Sequence, residues 1–459
     1  MMNKSLRLET TRPNQPLTIN DKDSLNVDLH LRIVDGEVIC LTEKYSAEEV
    51  IERGRSYITF RATDDSSNQK VAIKKRSNVF PTGHAEELLT AEKLADPKLL
   101  RIPKRVLREM RVLCHLHHPN ILNLRAFVPP VSYREFGDVL FVLDYVETNL
   151  KDLIDADKKL VSDSGKYLMY QILSALNYIH SADLVHGDLR PDRIAINGSC
   201  ELKVGDIATT YVEDDQGTTE YTSRFWYRAP EVLASNNDPS TVTSKVDTWA
   251  AGCVMAEILT GTPLFKSVAS LDSLDVESHK QQLSQHIQDP VALDLLNQLL
   301  DASPESRLSA EQALHHEYLK ELFTPDNLVV CDGKYDWEYE NIATDVVKTK
   351  RAAFDTLLDF EQVARKPNTP ITRLSSPIQR AENIKRMQLR LNSPAVEVSQ
   401  KDLLSRLQES VERSEGDEGV GAENSQVNTS QEGFASPRER KKSLFERMRD
   451  IFGKNNTKK

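Results

Sequence analysis

The stretch Val185-His186-Gly187-Asp188-Leu189-Arg190-Pro191-Asp192-Arg193-Ile194-Ala195-Ile196-Asn197 decides how this chain is read. It sets Asp188, Arg190, Asp192 and Arg193 close together between apolar neighbours. Upstream, Tyr167–His180 has a helical pattern. Downstream, the short run Leu202-Lys203-Val204-Gly205 ends on a second aspartate, Asp206. Earlier in the chain Lys74 closes the apolar run Val71-Ala72-Ile73, and Glu109 lies in a helical segment. Taken singly, a lysine ending a strand is a solvated edge residue and a helix glutamate is surface. Their order along the chain is what points to chemistry.

The chain has 459 residues and a formal net charge of -11, which argues against a nucleic-acid binder as a whole. Its hydrophobic content of 39% supports a substantial core, and 28% charged residues suits a soluble protein with solvated tails. Cys40, Cys114, Cys200, Cys253 and Cys331 are scattered and form no C-x-x-C pair. They read as reduced thiols of the cytosol or nucleus. The polar start carries no secretory pattern, and no apolar run approaches the ~20 residues that span a bilayer. A cytoplasmic or nuclear protein is expected.

Composition divides the chain into a polar, disordered stretch 1–24, a folded region 25–363 and a tail 364–459 rich in Pro, Ser, Asn, Glu and Gln. Val27, Leu29, Leu31 and Ile33 alternate up to Asp35-Gly36, a strong hairpin signal before Glu37–Leu41. A second strand pair is expected at Ile58–Ala62 and Val71–Lys75, then irregular sequence over 76–103 and a helix over Lys104–His115. The body turns helical from Lys166, with a buried helix at Val246–Leu259 and a shorter one at Val291–Leu300. Strands first and helices after imply an α+β, two-lobed architecture. The small lobe would span about 25–143, the large lobe about 147–322, and an extension 323–363.

These segments, in this order, resemble the protein kinases. Asp188 stands where H-R-D-L-x-x-x-N has its catalytic base, while Gly187, Arg190 and Arg193 replace the arginine, the lysine and the magnesium-binding asparagine. Val71-Ala72-Ile73-Lys74 matches V-A-I-K, so the resemblance implies that Lys74 grips the phosphates of ATP and Glu109 orients it. Asp206, in the place of D-F-G, would hold Mg2+, with Ile207 and Ala208 for the phenylalanine and glycine. Glu52–Thr59 stands for G-x-G-x-x-G-x-V and keeps only Gly54. Glu52 brings a carboxylate toward anionic phosphates, and Tyr57 adds bulk where close approach is wanted, so reduced nucleotide affinity is expected. ATP contacts are implied for Ile51, Gly54, Thr59, Ala72, Lys74, Asp144 and Val146. Arg193 offers donors only, which disfavours a second metal: either its charge occupies part of that site or the site is abandoned. Arg190 keeps a cation for the transferred phosphate, in planar rather than point-charge geometry.

The match narrows at Thr218-Thr219-Glu220-Tyr221 and Trp226-Tyr227-Arg228-Ala229-Pro230-Glu231, which resemble the T-E-Y loop and following motif of extracellular-signal-regulated mitogen-activated protein kinases. His118-Pro119-Asn120-Ile121, the hinge Asp144–Thr148, Val246-Asp247-Thr248-Trp249 and Ser306-Arg307-Leu308 agree. The resemblance implies phosphorylation of Thr219 and Tyr221 by an upstream dual-specificity kinase, and protein substrates. Arg105 and Arg108 match partners of the phosphothreonine, whereas Gly187 and Tyr211 replace two others. Arg224 replaces the threonine that bonds the catalytic aspartate and is expected to pair with Asp188. Residues 266–290 are short for the family, and the docking patch near Phe323–Asn327 has little charge.

In the tail, Thr369-Pro370, Ser376-Pro377, Ser393-Pro394 and Ser436-Pro437 are the dipeptide type that proline-directed kinases modify, and equally ordinary disordered composition. The basic amphipathic segment Ser443–Phe452, within 438–459, is open to a membrane-surface, a calmodulin-like or an import-factor contact. Three functional readings follow: a serine/threonine kinase with reduced phosphoryl transfer, a pseudokinase that scaffolds or competes for the upstream activator, and an adaptor recruited through the tail.

Overall fold

The computed structural model describes Leu6–Arg7, Leu25 and residues 27–365, except positions 55, 157, 159–161, 163, 198–200, 208–224, 236–240, 267–273 and 324–327. Thr219, Tyr221, Arg224, Ala208, Tyr211, the tail dipeptides and Ser443–Phe452 lie outside the described residues. Within the stretch 1–24, β1 (Leu6–Arg7) pairs antiparallel with β2 (His30–Val34). Between β2 and β3 (Glu37–Leu41) the turn residues Asp35 and Gly36 have φ of 49° and 82°. Positive φ at both is what a two-residue hairpin turn with the right twist demands.

Strands β4 (Tyr45–Arg53), β5 (Ile58–Asp64), β6 (Gln69–Arg76), β7 (Leu124–Val128) and β8 (Val139–Asp144) form one antiparallel sheet in the order β4-β5-β6-β8-β7. The two-residue period of β6 settles where its charges go. Val71 and Ile73 enter a core with Ile39, Phe60 and Val142. Ala72 joins the opposite core, with Val106, Met110 and Leu113 of the helix behind the sheet. Lys74 and Arg76 share the face of Ala72, and both are buried.

That helix begins earlier than its periodicity predicts. Helices α1 (His84–Glu87) and α2 (Ala91–Leu94) precede it, so the segment 76–103 is not irregular throughout. Helix α3 spans Pro97–His115, with Asp96 accepting a bond from the Lys98 amide at 2.9 Å and proline pre-set at the first position. Pro103 lies inside it and removes one backbone donor. A proline there reads as a stop, which masks the first turns in the sequence.

The large lobe contains β9 (Thr148–Asn149), α4 (Leu150–Ala156), α5 (Gly165–Ser181), β10 (Ile194–Ile196), β11 (Leu202–Val204), α6 (Pro230–Ala234), α7 (Lys245–Thr260), α8 (Val276–His286), α9 (Pro290–Leu299) and α10 (Ala310–Leu314). Helices α5 and α7 are buried on nearly all sides, as expected of apolar helices without a polar face. The pairing Ile194↔Val204 sets the ends of β10 and β11 side by side. It thereby brings the loop 185–193 next to Asp206. The extension α11 (Glu338–Ile342) and α12 (Val346–Arg365) returns to the small lobe. Phe354 and Leu357 pack into the core of α3, and fully buried Lys350 bonds the Pro81 carbonyl at 2.7 Å and Glu86 at 2.8 Å. No helix among the described residues is long and apolar enough to cross a membrane.

Candidate active site

On β6, Lys74 lies opposite Thr59 on one side and Phe141 on the other, and its side chain projects toward α3. Lys74 Nζ donates to Glu109 Oε1 at 2.9 Å and to Asp206 Oδ1 at 2.6 Å. The pair implied by sequence is therefore formed. A further cation shares it: Arg76 Nη2 and Nε donate to Glu109 Oε2 at 2.7 and 3.1 Å. Burial opposes ionisation of Glu109, but Lys74 and Arg76 outweigh it and hold its carboxyl below the usual range. Sequence reasoning missed Arg76, although the alternation of β6 carries the signal: it stands two residues from Lys74 on the same face.

The loop 185–193 is pinned from below by α7. Asp247, buried, accepts from the His186 and Gly187 amides at 2.8 and 2.7 Å and bonds His180 Nε2 at 2.8 Å. His186 Nε2 contacts the Gly205 carbonyl at 2.8 Å, which couples this loop to the one bearing Asp206. Gly187 has φ 76°, a left-handed conformation in which a Cβ is crowded. The arginine lost there is a charge removed, and the glycine gained eases the backbone.

Asp206 is the junction of the site. One of its oxygens takes Lys74 and the other takes Arg193 Nη1. Arg193 Nε also lies 3.2 Å from Asp188 Oδ2, so one guanidinium bridges both aspartates. Burial works against charge on Asp206, yet Lys74 and Arg193 keep its carboxyl far below the ordinary range. Arg193 moves the opposite way: burial lowers it, and Asp206 and Asp188 more than compensate. Arg190 is buried, 3.0 Å from Asp192 and 3.8 Å from Asp188. It thus surrounds Asp188 with positive charge.

Above Lys74, the loop between β4 and β5 folds inward. The Tyr57 ring centroid lies 4.4 Å from Lys74 Nζ and 5.0 Å from the Arg76 guanidinium carbon. Such cation–π contacts stabilise by about 0.5–2 kcal/mol each when desolvated. The Tyr57 hydroxyl donates to Glu52, and Ser56 Oγ accepts from Arg76 at 2.7 Å. Burial, with Asp206 and Glu52 nearby, pushes the phenol well above its ordinary range, so it stays protonated. Gly54 has no room for a Cβ, which would come within 2.2 Å of a Tyr57 ring carbon.

The remaining expected nucleotide contacts are less concentrated. Thr59 and Ala72 are buried beside Lys74, whereas Ile51 is exposed at 38%. Asp144 turns its carboxylate to Arg125 at 2.8 Å, Asn123 at 3.1 Å and Lys203 at 3.2 Å, and Val146 is half-buried in the link between β8 and β9. Glu231 and Arg307 form the buried pair that anchors α6, at 2.7 and 3.0 Å. Arg105 and Arg108 lie on α3, Arg108 over the Trp337 ring.

Against a polyphosphate and a divalent cation, this set of groups fits unevenly. Lys74 offers the expected donor. Both oxygens of Asp206 are taken by cations, Arg193 presents donors only, and no metal-type cluster of three His, Cys, Asp or Glu occurs among the described residues. In this arrangement a magnesium ion does not fit.

Comparison with known proteins gives the protein kinase domain as the matching family model, over residues 45–319. The chain is 30% identical to mitogen-activated protein kinase 3 of Arabidopsis thaliana, over 70% of this chain and 90% of that protein. It is 31% identical to extracellular signal-regulated kinase 1 of Dictyostelium discoideum, over 77% and 69%. It is also 31% identical to mitogen-activated protein kinase hog1 of Trichoderma harzianum, over 72% and 95%.

Proposed function

The chain belongs to the protein kinases, in their mitogen-activated branch, and on that premise we propose that it is a serine/threonine kinase whose phosphoryl transfer is reduced by its own Arg193. ATP and Mg2+ use goes with the family in general, as do an upstream kinase and protein substrates. The observation that carries the proposal is the guanidinium of Arg193 lying between Asp188 and Asp206.

The retained groups support an enzyme. Lys74 is oriented by Glu109, as phosphate positioning requires, and Asp188 remains to orient a substrate hydroxyl. The altered group supports attenuation. A fixed cation already pairs with both carboxylates, and it brings no ligand oxygen or open coordination position with it. Thr219 and Tyr221 are the proposed acceptors for the upstream kinase, and the cytosol or nucleus is the proposed compartment.

The test is phosphotransfer to a generic basic protein by dually phosphorylated chain, compared with Asp188→Ala and Arg193→Asn. A weak signal that Asp188→Ala abolishes and Arg193→Asn strengthens is expected. A wild-type signal equal to Asp188→Ala would remove the enzyme reading. The second reading, a pseudokinase that competes for the upstream activator, is favoured by the Tyr57 ring held over Lys74. It predicts that the Asp188→Ala protein still competes for the activator as well as the wild type.

A further inference from the structure

The glycines of the phosphate-covering loop serve to let backbone approach phosphates closely. In this chain the last of those glycines is Tyr57, and its side chain has gone into the space the glycine would have left. Three ring atoms lie 2.2 to 2.7 Å from where a Cβ on Gly54 would stand, so the ring is pressed against the loop backbone. From the other side Lys74 Nζ approaches the ring centroid to 4.4 Å. The gap between loop and lysine is thus filled by an aromatic ring.

The ring is held there at several points. Its hydroxyl donates to Glu52, which also lies 3.5 Å from Thr59 Oγ1. Arg76 lies 5.0 Å from the ring and donates to Ser56 at 2.7 Å, fixing the loop residue before it. These contacts lie at the phosphate end of the cleft. At the hinge Asp144–Val146, where a nucleobase edge would be read, the Asp144 carboxylate has a separate set of partners, Arg125, Asn123 and Lys203, none of them in contact with the ring. A polyphosphate entering this site would have to displace an aromatic ring from two cations and would then face the Glu52 carboxylate.

We propose that Tyr57 is a specificity-determining plug of the polyphosphate subsite, so that this cleft takes an adenine nucleoside without phosphates in preference to the triphosphate. The inference rests on the adenine-binding cleft of the kinase reading, but concerns binding rather than transfer. Because the guanidinium of Arg193 already stands at Asp206, the preference is present with or without a divalent cation.

The experiment is calorimetric titration of the full-length chain with adenosine and with ATP, in EDTA and in Mg2+, for wild type, Tyr57→Gly and Tyr57→Phe. Thermal melts of each variant establish that it is folded. Wild type is expected to bind adenosine at least as tightly as ATP. Tyr57→Gly should tighten ATP binding by about tenfold or more and change adenosine binding by less than about threefold. Tyr57→Phe, which keeps the ring and loses the bond to Glu52, should retain the wild-type preference. Wild type preferring ATP by about tenfold, a parallel change for both ligands in Tyr57→Gly, or no binding of ATP to folded Tyr57→Gly would each overturn the proposal. A Tyr57→Gly protein that gains ATP binding yet transfers no phosphate would keep this inference and sink the enzyme reading.

Discussion

One chain of charges runs through the cleft, and its two ends differ in kind. At the small-lobe end Glu109 is shared by Lys74 and Arg76, all three nearly inaccessible to water. At the large-lobe end Arg193 joins Asp188 and Asp206, whose side chains keep 22% exposure. The first end has one anion for two cations and low dielectric on every side. The second has two anions, a partly hydrated setting and a guanidinium where the family has an asparagine. The small-lobe end is thus a structural joint that also orients Lys74. The large-lobe end is a partly exposed pair of carboxylates bridged by one guanidinium.

That contrast can be broken by removing each centre in turn. Glu109→Ala leaves Arg76 buried without its anion and Lys74 with Asp206 alone, and should cost about 3–5 kcal/mol, read by urea unfolding. A loss no larger than that of Arg193→Asn would show that the two ends are equivalent after all.

Acidification acts next, and in two stages. His118 is buried and its pKa is pushed down to about 3, chiefly by burial, with Lys203 adding to it; burial likewise lowers His186. Both bind protons more readily unfolded than folded, so their contribution is complete above about pH 6.5 and declines as pH falls. For His118 the loss is about 2 kcal/mol by pH 5. The depressed carboxyls Glu109 and Asp206 have the same sign but a lower window, losing stability only as pH drops below the ordinary carboxylate range. Melting temperature against pH should therefore fall first through the histidines and then steeply through the cleft. A flat profile between pH 7 and 5 would contradict this.

Arg193→Asn should cost about 1–2 kcal/mol, because Asp188 and Asp206 can recover hydration. Millimolar magnesium should then raise the melting temperature of the variant but not of the wild type. An equal magnesium response in both would mean that Arg193 does not stand in the way of the ion. The smallest effect belongs to Gly187→Ala, at about 1 kcal/mol, since a Cβ must be held at φ 76°. A neutral result would show that the loop backbone relaxes and that Asp247 does not hold it in the left-handed form.

Much of the architecture was legible beforehand. The hairpin at Asp35-Gly36, the alternating strands around Lys74 and the apolar helix at 245–260 follow from local periodicity, which needs no knowledge of the rest of the chain. Helix α3 was read too short because Pro103 imitates a stop, while the cap at Asp96 and the tertiary packing of Leu100 and Val106 carry the helix past it. Lys74, Glu109, Asp188 and Asp206 could be named from their motifs. Arg76 was missed because the strand was expected to end at Lys75, whereas it continues through Arg76 and so sets that side chain on the face of Lys74.

What the sequence by itself determined is the set of groups and the order in which they arrive: an α+β chain of the kinase family with Arg193 and Tyr57 in place of an asparagine and a glycine. What those two replacements do was decided only by the tertiary structure. Arg193 could have turned to solvent and left its site empty. Tyr57 could have stood outside the loop. The fold sets β6, the loop 185–193 and the β4–β5 turn around one buried cluster of unlike charges, where an unpaired ion or an unfilled gap is costly. Burial is what pulls the guanidinium between two aspartates and the ring onto two cations, and burial is not written in any one segment.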